Sequence, residues 1–238
     1  MTPAQHDPPT PQDIALKPGS SAPATRPLYL LGALFAVCTG PAFLLDHQLA
    51  SWTTGWDKDS TLMKISEVFG IPGSFSGLLV LGAVILILDR SARRRMLRLA
   101  AALLTAGVIT GLLKALFSRQ RPLHFDLNQD IWSSFRGFFA SLMQDGEWIN
   151  PQHWTMVSFP SGHLTSAAAA AVGLSWLYPR GRWLLAGMAV LVAAERIAFQ
   201  LHFLSDLCAG AAIGTLVTAC FLDTRLLGRR FDKFEEAV

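Results

Sequence analysis

The chain has 238 residues, 51% of them hydrophobic and 16% charged, with a net charge of +3 and a mean hydropathy of +0.37. That balance excludes an ordinary soluble domain and fits a polytopic membrane protein. The small net charge excludes little by itself; where the charges fall says more.

The first 27 residues hold seven of the thirteen prolines and show no apolar periodicity, which predicts a disordered tail over 1–27. No charged segment followed by a cleavable apolar run is visible there, so no signal peptide is expected. Six apolar runs follow, at roughly 28–45, 71–89, 97–117, 163–178, 183–201 and 203–222, and a helical crossing needs ~20 residues. The expectation is an all-α polytopic membrane domain over 28–224, with six transmembrane helices around a bundle core and a short basic and acidic tail over 225–238. The fifth and sixth runs nearly touch, which requires a tight turn near Gln200–His202. Cys38, Cys208 and Cys220 fall inside these runs and read as small packing residues.

Charge distribution sets the orientation. Arg90, Arg93, Arg94, Arg95 and Arg98 crowd the second connection, Arg180 and Arg182 the fourth, and Arg225, Arg229, Arg230 and Lys233 follow the last run. A topogenic loop accounts for the arginine run better than nucleic-acid binding does. By the positive-inside rule these segments and both termini are cytoplasmic, as in a bacterial-type inner membrane. The other face carries 46–70 and 118–162 together with Trp52, Trp56, Trp132, Trp148 and Trp154, a distribution expected of an interfacial aromatic belt.

Several ionisable residues remain in or beside the apolar runs: Lys114, Glu195, Arg196 and Asp206, all toward the outer end. A charge at the bilayer centre costs ~2.5–3.5 kcal/mol, so such residues normally face a partner or a polar cavity. Snorkelling or interhelical pairing explains any one of them, but not the gathering of so many at one depth. In KALFSRQRP, Lys114 and Arg121 are seven apart and share a helix face; Arg119 points elsewhere unless the helix ends before Pro122. In HFLSD, His202 and Asp206 are four apart, so the carboxylate can accept a hydrogen bond from one imidazole nitrogen. Arg196 lies six before His202 and swings to that face only if the helix breaks near Gln200. Ser161 in PSGH suits a helix N-cap, and a helix start is also an anion site.

Lys114…Arg121-Pro122, Pro160-Ser161-Gly162-His163 and Arg196…His202…Asp206, in that order, resemble the three signature motifs of the type-2 phosphatidic acid phosphatase superfamily. The resemblance implies that His202 is the nucleophile and forms a phosphohistidine, that Asp206 orients it, and that His163 is the general acid and then base. It implies a phosphate cradle of Lys114, Arg121, Ser161, Gly162 and Arg196, with no metal and no cofactor. The residue before the third-motif arginine is usually small in that family, often Ser, and here it is Glu195. Glu195 is expected either to turn away and pair with a cation on a neighbouring helix or to contact a substrate headgroup.

Phe135, Phe138, Phe139 and Leu142 fall at helical spacing and predict an amphipathic helix on the outer leaflet, as an anchor or as one wall of lateral lipid access. The resemblance implies a lipid phosphate or diphosphate substrate: undecaprenyl diphosphate is favoured, with phosphatidylglycerol phosphate, phosphatidate and lipid A phosphates as candidates. A phosphotransferase, a transporter that merely binds an anion, and a metal-dependent hydrolase using His124 or His153 are the rivals. No H-x-x-x-H or H-E-x-x-H pattern supports the last.

Overall fold

The computed structural model describes residues 25–143 and 153–236; most of the predicted tail, and Trp148, lie outside them. Among the described residues every regular element is helical, apart from one isolated antiparallel bridge between Arg119 and Phe135. The α-helices in chain order are α1 (Arg26–Thr54), α2 (Thr61–Ser66), α3 (Phe75–Leu88), α4 (Arg93–Phe117), α5 (Gly162–Leu177), α6 (Arg182–Ala198), α7 (Leu204–Leu222) and α8 (Gly228–Glu236).

Among the described residues three segments are long and apolar enough to cross a membrane: α1, α7 and Arg90–Phe117, which contains α4. The second predicted run is not one straight helix. A 3-10 turn over Glu67–Gly73 meets α3 at a 62° bend, and the bent pair would be a fourth crossing. Pro72 supplies no amide to continue the helix, and Ser74 restarts it by accepting a hydrogen bond from the Gly77 amide at 3.0 Å. Helices α5 and α6 have 16 and 17 residues, short of the ~20 of a straight crossing. Helix α1 runs nine residues past its predicted end at 45, because the polar groups that suggested an end are satisfied: Asp46 is paired internally, and the Gln200 amide donates to Ala50 O and Thr54 Oγ1.

Helix α7 is the axis of the bundle, packed by α1, α5 and α4. Its contact with α5 is close because small residues face each other there. A Cβ at Gly214 would lie 2.3 Å from the Thr165 carbonyl oxygen, and one at Gly210 would lie 2.5 Å from that of Ser161. The alanine run does the same from the other side, with Ala167, Ala168 and Ala169 buried. This approach brings the start of α5 against the start of α7, where the second and third motifs lie.

At the arginine-rich end, Asp89 caps the turn into α4, and hydrogen bonds from Ser91 and Tyr178 hold its carboxyl below the usual carboxylate range. Arg98 is buried, stacks on Trp176 and Phe231, and pairs with Asp232 at 2.5 Å and Glu235 at 2.9 Å. The last predicted segment is thereby ordered as α8 and folded under the bundle.

The amphipathic helix expected over Phe135–Leu142 does not form. Gly137 and Phe139 have φ of 99° and 58°, outside the helical region. The Arg136 and Phe139 amides donate instead to Ser118 O at 3.0 Å and Ala115 O at 3.1 Å, completing the end of α4. Phe138 and Phe139 stay exposed, so the apolar surface survives without the helix.

Gly214→Ala should force α5 and α7 apart and lower stability by ~1–3 kcal/mol, read as a fall in thermal unfolding temperature in detergent. Gly107→Ala, where an added Cβ meets nothing within 4 Å, should cause no such fall.

Candidate active site

Helix α4 stops at Phe117, and Ser118, at φ 23°, turns the chain out of it. Lys114 therefore projects from the last helical turn, whereas Arg121 arrives on a loop. That loop is fixed by the Arg121 amide on Thr155 O at 2.8 Å and the Leu123 amide on Gln200 O at 2.9 Å. The second bond ties the first motif to the turn carrying the third. The break expected near Gln200 is present: α6 ends at Ala198 and Gln200 has φ 55°. Arg196 and His202 thus come to one end of the bundle.

Ser161 is the N-cap of α5, accepting from the Leu164 amide at 3.4 Å, while its own amide donates to Asp206 O at 2.9 Å. His163 stands within electrostatic range of Arg196, Arg121 and Lys114, and His202 within that of Lys114 and Arg121. Lys114 reaches under the start of α5, its Cε 3.8 Å from where a Cβ at Gly162 would be, and its ammonium donates to Val157 O. The 3-10 turn walls the site from outside: a Cβ at Gly73 would lie 2.7 Å from the His163 carbonyl oxygen. Every residue that the motifs singled out is therefore gathered around the first turn of α5. Three cations converge there, and Arg121 Nε is buried with no hydrogen-bond partner among the described residues. An unpartnered buried guanidinium N–H is costly, and an anion between these groups would satisfy it.

His202 Nδ1 lies 3.6 Å from Asp206 Oδ2 and has no hydrogen-bond partner among the described residues. The carboxylate is nearby but already engaged. It accepts from Arg119 Nη1 at 2.6 Å, Ser158 Oγ at 2.5 Å and the Phe203 amide at 2.9 Å.

Arg119, expected to point elsewhere unless the helix ended before Pro122, meets that condition and turns inward, and its partner Asp46 was not singled out by the sequence. Arg119 is fully buried, its guanidinium over the rings of Phe43, Phe135 and Phe203 at 4.8, 4.8 and 4.0 Å. It bridges Asp206 to Asp46 of α1, 2.8 Å from Nη2, and Asp46 also accepts from the Ser205 amide and hydroxyl. The available signal was Pro122: α4 ends before it, which turns Arg119 inward.

Glu195 finds its cation on its own helix rather than on a neighbouring one. It pairs with the adjacent Arg196, Nη2 to Oε1 at 2.7 Å with a second bond from Nε to Oε2. Among the described residues no three His, Cys, Asp or Glu side chains are grouped to hold a metal ion.

The family model of the PAP2 superfamily matches residues 95–227, which contain all three motifs. The chain belongs to the PAP2 superfamily. This PAP2 chain is similar to proteins named lipid A 1-phosphatase from Rhizobium etli and Rhizobium johnstonii, at 31% identity over 118 residues in each case. Those residues are 48% of this chain and 44% and 42% of the two relatives, so the match spans less than half the length of either. No solved structure matches the chain.

Arg119→Ala should leave two buried carboxylates without their shared counter-ion and lower stability by ~3–5 kcal/mol, measured by thermal unfolding. Pairing it with Asp46→Leu should recover part of that loss, because one stranded charge is then gone.

Proposed function

We propose that this PAP2 protein is an integral membrane lipid phosphatase that works through a phosphohistidine on His202, without a metal. The observation that supports it most is the convergence of Lys114, Arg121 and Arg196 with two histidines around the start of α5, with the buried Arg121 Nε lacking a partner.

Asp206 stands on the Nδ1 side of His202, which leaves Nε2 as the attacking nitrogen. With the proton on Nδ1, the Nε2 lone pair attacks phosphorus and the bond to the lipid oxygen breaks. His163 donates a proton to that oxygen, then takes one from water as the water attacks the phosphohistidine and the P–N bond breaks. The three cations, Ser161 and the unpaired amides at the start of α5 stabilise the charge that spreads over the phosphoryl oxygens. A polar acceptor in place of water would give a phosphotransferase.

The membrane arrangement proposed is six crossings, with α5 and α6 as short ones, both termini and the arginine-rich end cytoplasmic, and the site facing outward. The substrate class is a lipid phosphate of the bacterial envelope. Undecaprenyl diphosphate is the candidate favoured by an outward-facing site, and the likeness to lipid A 1-phosphatases adds weight to a lipid A phosphate.

Purified wild-type protein should release phosphate from one or more of a panel of lipid phosphates, and His202→Ala should lower kcat by at least ~10⁴-fold, as removal of a nucleophile does in comparable covalent enzymes. Activity persisting in His202→Ala, or failure to trap an acid-labile phosphoprotein in the wild type, would overturn the mechanism. Excess EDTA should leave turnover unchanged; loss restored by a divalent ion would sink metal independence.

A further inference from the structure

Glu195 touches the one cation of the cradle that is already satisfied by a side chain. Nε and Nη2 of Arg196 both donate to its carboxylate, and Nη1 has no partner among the described residues. The pair is enclosed: Glu195 is 5% exposed, and a Cβ at Gly70 would lie 2.4 Å from Arg196 Nη2 and 3.2 Å from the Glu195 carboxyl carbon. A bidentate fork fixes both the plane and the edge of a guanidinium. Arg196 is therefore held with one edge spent on Glu195 and only its remaining N–H groups left for an anion. Of the three cationic charges around the start of α5, one is cancelled at contact distance.

Resting on the phosphate-cradle reading above, we infer that Glu195 is a positioning and specificity-determining residue that fits the site to a phosphomonoester and against a diphosphate. Repulsion from a fixed carboxylate grows with the charge of the anion it faces, and a diphosphate ester carries about one more negative charge than a monoester near neutral pH. With a small neutral residue at this position the full charge of Arg196 and its whole fork would be open to the substrate. Glu195 withholds both. The departure from the usual motif is then a selectivity element, and it moves the favoured substrate from undecaprenyl diphosphate to a lipid monophosphate.

The test uses the full-length protein in detergent, with inorganic phosphate and pyrophosphate as probes, their affinities read by calorimetry in a His202→Ala background so that turnover plays no part. Glu195→Gln, which keeps the shape and removes the charge, should raise affinity for pyrophosphate about tenfold relative to phosphate; Glu195→Ser should shift the ratio the same way. In proteins with His202 intact, kcat/KM for a polyprenyl diphosphate relative to phosphatidate should rise in parallel. Gly70→Ala displaces the pair without changing its charge, so it should weaken both probes alike and leave their ratio as in the unmodified site. Equal changes for both probes in Glu195→Gln, or a raised ratio in Gly70→Ala, would overturn the inference. If neither probe binds with Glu195 in place, the cradle reading fails and this inference fails with it. Phosphate release surviving in His202→Ala would remove only the phosphohistidine, since the probe ratio still decides the role of Glu195.

Discussion

The structure depends above all on the buried guanidinium of Arg119. Arg119 sits between Asp46 of α1 and Asp206 of α7, inside a cage of three phenylalanines, and so holds the first helix, the loop after α4 and the helix behind His202 as one unit. None of these charges is tolerable alone in an apolar interior, so each fixes where the others must be. Ser158 and the Phe203 amide use the rest of the Asp206 carboxylate, which binds the segment before α5 into the same network. Arg119, Asp46, Ser158, Ser205 and Asp206 thus share one buried network beside His202.

Around that unit the site is built from shortened and interrupted helices. Helix α4 stops three residues after Lys114, α6 stops two after Arg196, and the second apolar run bends at Ser74. The breaks after α4 and α6 let their loops carry Arg121 and His202 to the start of α5, and it is that helix N-terminus whose amides suit an anion. Glycines allow the pieces to close: Gly210 and Gly214 between α5 and α7, and Gly70 over the Glu195–Arg196 pair. The positive charge of the cradle is thus shaped by backbone geometry as much as by the number of cations.

Helix existence and motif placement were legible in the sequence because long apolar runs and fixed spacings are local signals. The six runs correspond to α1 and α3–α7, and the tight turn at Gln200 follows from the short gap between the last two. What local reading missed was set by distant partners. Helical spacing linked Lys114 to Arg121, but α4 ends between them, so Arg121 reaches the site by a loop and Arg119 faces inward. Asp46 was not singled out at all, because its partner lies 73 residues away. The periodicity of Phe135–Leu142 was real, yet its amides went to the end of α4. The partner of Glu195 was the neighbouring residue, a contact that spacing rules do not consider.

That use of the Phe139 amide has a consequence for the exposed surface beside Lys114. The amide is bonded to Ala115 O, one residue beyond Lys114, and beside it Phe138 and Phe139 present exposed rings. A phenylalanine ring carries no polar group, so leaving it in water is unfavourable. That apolar surface is therefore registered, through one hydrogen bond, to the helical turn that carries Lys114. Anything that covers the rings is thereby held at a fixed offset from that lysine.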